Sequence, residues 1–155
     1  MNTSTNILAG LATLAVAAIA SADIVYAEAI DGDLSDDPNA PTFVSVSEGN
    51  NTVIAVTDRE GDDRDIFTFD VAEGYVLSGV ILDLYDTNAN DPNNLGFIGF
   101  SAGDVLGTDP FAPNPGALLG YALVSEADSG TDIFGVMAQG GGSQGYDGPL
   151  PAGPY

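Results

Sequence analysis

The sequence predicts an all-β fold, an antiparallel β-sandwich or jelly roll of about eight short strands, preceded by a signal peptide. Apolar residues recur at every second position in short runs, which is the pattern of strands with one buried face. Gly, Asn, Asp and Pro separate these runs, as is typical of turns, and we identify no helix from Asp23 onward. With 155 residues, 45% of them hydrophobic, the chain is expected to form one domain.

The N-terminus predicts export. An apolar stretch, Ile7–Ala20, runs into Ala20-Ser21-Ala22, whose small residues fit signal peptidase cleavage before Asp23. At about 14 residues the stretch is shorter than the roughly 20 that a membrane-spanning helix needs. Residues 1–22 are therefore predicted to be a signal peptide, and the mature protein to be secreted or held at the cell surface without membrane insertion. A buried Ala-rich helix is the alternative.

The mature region contains eight candidate strands. They are Ile24–Ile30, Thr42–Val46, Thr52–Thr57, Asp65–Val71, Val76–Tyr85, Leu95–Phe100, Ala117–Val124 and Ile133–Ala138. In the fourth, Phe67, Phe69 and Val71 are predicted to face the core and the residues between them to face away. The fifth is apolar on much of both faces and is predicted to be a central strand.

Composition excludes several classes of partner and reaction. The chain has 2 basic residues against 23 acidic ones and a formal net charge of -21, so it repels nucleic acid and anionic lipid and suits high ionic strength. It has no Cys, His or Lys, which excludes disulfides and Ser-His-Asp or Cys-His catalysis. We predict that it is not an enzyme. A two-carboxylate glycoside hydrolase is the enzymatic alternative, since it needs only acidic residues.

One loop predicts a calcium site. Asp86, Asn88, Asn90 and Asp91 supply oxygen ligands close together after a strand, as calcium loops do. The motif is partial, because Gly is absent from its sixth position and Glu from its twelfth. A polar turn is therefore the alternative. Two further acidic runs are residues 58–65, interpreted as a solvated turn or a second cation site, and residues 31–37, interpreted as a solvated linker.

Several motifs together resemble a known family. They are Tyr26-Ala27-Glu28 before Asp31–Ser35, Gly49–Val53, Asp62–Phe69 with Gly74, Gly96–Gly99 and the terminal Ala152-Gly153-Pro154-Tyr155. The chain resembles secreted bacterial β-sandwich proteins similar to the bacterial pre-peptidase C-terminal domain, many of which carry a PEP-CTERM sorting tail. In such proteins further strands and a sorting helix follow the terminal turn. The domain, residues 23–155, is therefore expected to be truncated at its C-terminus.

The resemblance implies a non-catalytic accessory or matrix module. Our first hypothesis is a secreted structural or binding module of the extracellular matrix or cell surface, stabilised by calcium, with an extracellular polysaccharide or protein as its partner. The alternative is an accessory domain of a secreted hydrolase whose catalytic part is missing from this chain.

Overall fold

A computed structural model describes residues 22–57, 63–87 and 95–155. These residues form ten short strands, two one-turn α-helices and two 3-10 turns. The strands are β1 Asp23–Ala27, β2 Thr42–Phe43, β3 Asn51–Ile54, β4 Phe67–Thr68, β5 Asp70–Val71, β6 Ile81–Leu82, β7 Gly96–Phe100, β8 Gly120–Val124, β9 Thr131–Asp132 and β10 Gly153–Pro154. The helices are α1 Glu28–Asp31 and α2 Phe134–Met137, and the 3-10 turns are Pro115–Ala117 and Glu126–Asp128. The excess of strand over helix agrees with the predicted all-β class.

The described strands pair two by two. β7 and β8 form the longest ladder, antiparallel from Gly96 opposite Val124 to Phe100 opposite Gly120. β5 with β10 and β6 with β9 are also antiparallel, whereas β1 with β3 and β2 with β4 are parallel. A purely antiparallel arrangement is therefore wrong for the two N-terminal pairs. In each of them the paired strands are joined through a long connection, as parallel pairing requires.

Two predicted strands differ from the structure because local hydrogen bonds favour a helical turn. The first ends at Ala27, whose N–H donates to the Asp31 carboxylate at 2.9 Å, and α1 occupies the rest of the predicted range. The last, Ile133–Ala138, is wrong, because α2 occupies it. The Asp132 carboxylate accepts the N–H of Phe134 at 3.0 Å, the kind of side-chain contact that competes with strand pairing.

The other predicted strands are shorter than expected. Val76–Tyr85 retains only β6, and it is not central, because Ile81 and Leu84 are 62% and 74% exposed. In Asp65–Val71 the ladder is divided at Phe69, which exchanges two backbone hydrogen bonds of 3.0 Å with Tyr155. Phe69 and Val71 pack on the core as predicted. Phe67 is exposed, however, and its neighbour Ile66, predicted to face away, is buried. The remaining four predicted strands correspond to β2, β3, β7 and β8, whose ends differ from the predicted ones by at most three residues.

The core consists of two adjoining apolar clusters in the C-terminal half. One contains Ala122, Val124, Ile133 and Met137, and the other contains Phe134, Leu150 and Tyr155. Phe100 and Tyr146 pack against both clusters, with their ring centroids 5.4 Å apart. Four more buried side chains of the N-terminal segments lie outside both clusters, namely Ala27, Leu34, Val44 and Ile66.

The described residues include no helix that is both long and apolar enough to cross a membrane. Residues 1–21, which hold nearly all of the predicted signal peptide, lie outside them. The signal peptide therefore stays a prediction.

Candidate metal centre

Three carboxylates from distant parts of the sequence meet at one place. Glu28, Asp33 and Asp65 each contribute an oxygen, and these oxygens all lie within 4.8 Å of one another. Glu28 begins α1, Asp33 follows this helix, and Asp65 precedes β4. An antiparallel bridge between Ser35 and Ile66, in which the N–H of Ile66 donates to Ser35 at 2.9 Å, places the last two segments side by side.

A glycine turn brings Asp33 back towards Glu28. Gly32 has φ 98°, in the left-handed region that favours glycine, and its N–H donates to the carbonyl of Glu28 at 3.1 Å. The Tyr26 hydroxyl donates to the carbonyl of Gly32 at 2.8 Å and holds the turn from the other side. Partial desolvation and the surrounding carboxylates raise the pKa of Tyr26, which keeps this hydroxyl protonated as a donor.

Backbone amides orient Glu28. Its Oε1 accepts the N–H of Leu34 at 3.1 Å, and its Oε2 accepts the N–H of Val56 at 2.7 Å. An ionised carboxylate has about four acceptor positions, so each oxygen can still contact a cation. Glu28 is thus held in place while retaining the capacity to act as a metal ligand.

No described residue donates a hydrogen bond to the Asp65 carboxylate. Both of its oxygens are buried, and neither accepts a hydrogen bond from the described residues. Burial raises the pKa of Asp65 to about 7, with further contributions from the charge of Glu28, from hydrogen bonding of the protonated carboxyl to Glu28, and from the charges of Asp63 and Asp33. A buried ion without a partner is costly. Asp65 therefore requires either a proton shared with Glu28 or a cation.

No family model, curated protein or solved structure matches this chain. The resemblance to the bacterial pre-peptidase C-terminal domain therefore stays a prediction.

The chemistry of these donors suits a hard divalent cation. Every candidate ligand is an oxygen, and the chain contains none of the Cys or His ligands that zinc prefers. Ca²⁺ accepts six to eight oxygens in irregular geometry, whereas Mg²⁺ demands a near-ideal octahedron. Three carboxylates from separate segments, whose shell water would have to complete, therefore suit Ca²⁺ better than Mg²⁺.

The loop predicted to bind calcium is only partly described. Asn88, Asn90 and Asp91 lie outside the described residues, and Asp86 is exposed. The next residue, Thr87, donates to the Glu126 carboxylate through its hydroxyl at 2.7 Å and its N–H at 3.1 Å. These hydrogen bonds lower the pKa of Glu126, so the entry to the loop is anchored by a carboxylate that stays ionised. Calcium binding by this loop stays a prediction.

The sequence did not predict Glu28, Asp33 and Asp65 as the ligands of one site. Asp33 belongs to the run interpreted as a linker, and Asp65 to the run interpreted as a turn or a second cation site. Glu28 was not among the candidates. No local spacing signals this set, because the three residues meet only through the pairing of Ser35 with Ile66.

The β7–β8 ladder has an exposed apolar face, on the side away from the core. Leu123 is 59% exposed on β8 opposite Phe97 of β7, and Phe97 stacks on Tyr121 with the ring centroids 5.3 Å apart. Val136 of α2 is equally exposed. The inward-facing residues of the same strands, Ile98 and Ala122 among them, belong to the core.

Proposed function

We propose that this protein is a non-catalytic, secreted β-sandwich module with a structural or binding role in the extracellular matrix or at the cell surface. In this proposal it is stabilised by calcium bound at Glu28, Asp33 and Asp65. The observation that carries the calcium proposal is the buried Asp65 carboxylate, which faces two other carboxylates and accepts no hydrogen bond from the described residues. A divalent cation would supply the positive charge that this arrangement lacks.

The chemistry of the same cluster favours a structural role over catalysis. Both oxygens of Glu28 accept hydrogen bonds from backbone amides, which restrains the movement of this side chain. A glycosidase needs one carboxyl that delivers a proton and a second placed across a sugar-binding cleft. Three carboxylates converging within 4.8 Å instead resemble a set of ligands for one cation.

Export and an extracellular partner are proposed from the sequence. The apolar stretch at residues 7–20 and the small residues after it support secretion, where calcium is abundant enough for a site of modest affinity. A polysaccharide or protein of the matrix is the proposed partner. The alternative, an accessory domain of a secreted hydrolase, predicts a catalytic domain encoded in the same reading frame, and sequencing the complete transcript separates the two.

Thermal unfolding tests the calcium proposal. The protein is unfolded at fixed, high ionic strength with EGTA, with Ca²⁺ and with Mg²⁺. A native-state ligand at 100 times its Kd adds about 2.7 kcal/mol of stability, so calcium should raise the Tm saturably and magnesium should raise it much less. Equal and weak effects of the two cations would show that they only screen the acidic surface.

Two matched variants locate the site. Asp33→Asn should abolish the calcium-dependent rise in Tm, whereas Asp86→Asn, in the loop predicted from the sequence, should leave it intact. The reverse pattern would move the site to residues 86–91 and refute the assignment made here.

A further inference from the structure

The candidate calcium site lies where the N-terminal strand pair joins the rest of the domain. Glu28 directly follows β1, and its Oε2 also holds Val56, just beyond β3. Asp65 belongs to the neighbouring segment, which continues through the buried Ile66 into β4. A cation bound here would therefore connect the β1–β3 pair to the β2–β4 pair.

The β1–β3 pair has little apolar anchorage of its own. None of its residues belongs to either core cluster, and Ile24 and Ile54 are 63% and 48% exposed. Ala27 is its one buried side chain. Segments with few buried apolar contacts open at a lower free-energy cost than the whole domain.

Beyond the carboxylate cluster, the chain is held more firmly. Leu34 is 2% exposed, and the Ser35–Ile66 bridge is continued by hydrogen bonds from Thr42 to Ile66 at 3.0 Å and from Val44 to Thr68 at 2.8 Å. Opening that begins at β1 should therefore stop at Leu34. The Glu28 carboxylate marks the boundary between the weakly and the firmly held parts.

We propose that calcium at Glu28, Asp33 and Asp65 acts as a latch that fastens the β1–α1–β3 unit to the domain, and that calcium removal opens this unit while the C-terminal core stays folded. The inference rests on the proposed calcium site. Without the cation, three clustered carboxylates repel one another across the junction. Separation of β1 from β3 in the opened unit would then present unpaired backbone N–H and C=O groups, which are able to pair with another chain.

Hydrogen exchange of the full chain, followed by mass spectrometry with Ca²⁺ or with EGTA at equal ionic strength and pH, tests the latch. Amides of residues 24–33 and 51–57 should exchange about tenfold faster or more in EGTA, as local opening becomes easier. Amides of β7 and β8 should change less than about twofold, because they report opening of the core.

Isothermal titration with Ca²⁺ on the same sample separates the two proposals. If calcium binds and protection rises equally in all regions, the latch is refuted and the calcium site stands. If no calcium binds, both proposals fail. Glu28→Gln should give the EGTA exchange pattern even in calcium, and Asp86→Asn should behave as the wild type. The comparison of wild-type protein in Ca²⁺ and EGTA decides the matter if the Glu28 variant does not fold.

Discussion

Replacing Asp65 by Asn should change stability in opposite directions without and with calcium. The folded state raises the pKa of Asp65 from its ordinary 3.8 to about 7, so between these values the folded protein holds the proton more tightly than the unfolded chain. The contribution of Asp65 is therefore fully present below pH 3.8 and is lost progressively as pH rises from there through about 7. At pH 8 without calcium, the ionised carboxylate destabilises the fold.

The pKa shift sets the size of this effect. A shift of about three units corresponds to an upper limit of roughly 4 kcal/mol at pH 8. Although its carboxylate oxygens are buried, the Asp65 side chain as a whole is only partly buried. Solvent screening therefore reduces this energy, and about 1–2 kcal/mol is the expected net cost. Asparagine has no charge and its amide can donate to the neighbouring carboxylates, so D65N should stabilise the calcium-free protein at pH 8 by about this amount.

The assay is thermal or urea unfolding of wild type and D65N in EGTA and in saturating Ca²⁺. For a domain of this size, 1–2 kcal/mol corresponds to an increase in Tm of about 3–8 °C in EGTA. In Ca²⁺ the order should reverse, because D65N loses a ligand. In EGTA the difference should shrink as pH falls below 7 and disappear below pH 3.8, where Asp65 is protonated in both the folded and the unfolded state. A D65N protein that is less stable than wild type in EGTA at pH 8, or that keeps the full calcium effect, would refute the reasoning.

Three further predictions concern pH, core packing and backbone geometry. Calcium affinity should fall by up to about tenfold per pH unit below pH 7, because calcium must then displace a proton from Asp65, and titrations at pH 8, 7 and 6 should show it; an affinity that stays constant would contradict this. In urea unfolding, V124A should cost about 1–3 kcal/mol and its exposed neighbour L123A less than about 1 kcal/mol, whereas equal losses would contradict the assigned faces of β8. G120A should cost about 2 kcal/mol or more, because the added Cβ would lie 2.5 Å from the carbonyl oxygen of Met137; near-wild-type stability would contradict that packing.

Sequence patterns predict a strand well where one of its faces is buried and the other exposed. The ladder of β7 and β8 lies within two predicted strands. Ile98 and Phe100 on one strand and Ala122 and Val124 on the other pack in the core at every second position, and Phe97 and Leu123 between them are exposed. The alternating pattern gives a wrong prediction for α2, because its apolar residues are equally compatible with a strand and with a helical turn. The Asp132 carboxylate decides between them by accepting the N–H of Phe134.

Long-range pairing explains why the candidate site was not predicted as a unit. The acidic runs containing Asp33 and Asp65 are visible in the sequence, yet nothing local indicates that the bridge from Ser35 to Ile66 will place them side by side. The contribution of Glu28 depends in addition on the short turn at α1, within a segment that the alternating pattern predicted to be strand. Acidity alone predicts that cations are attracted, and topology determines which carboxylates meet.

The decisive experiment for the calcium site is calorimetric titration of Ca²⁺ into wild type, D65N and D86N at pH 8 and high ionic strength. A site at Glu28, Asp33 and Asp65 predicts a calcium-binding event that is present in wild type and D86N and absent in D65N. Calcium binding that survives in D65N would contradict it.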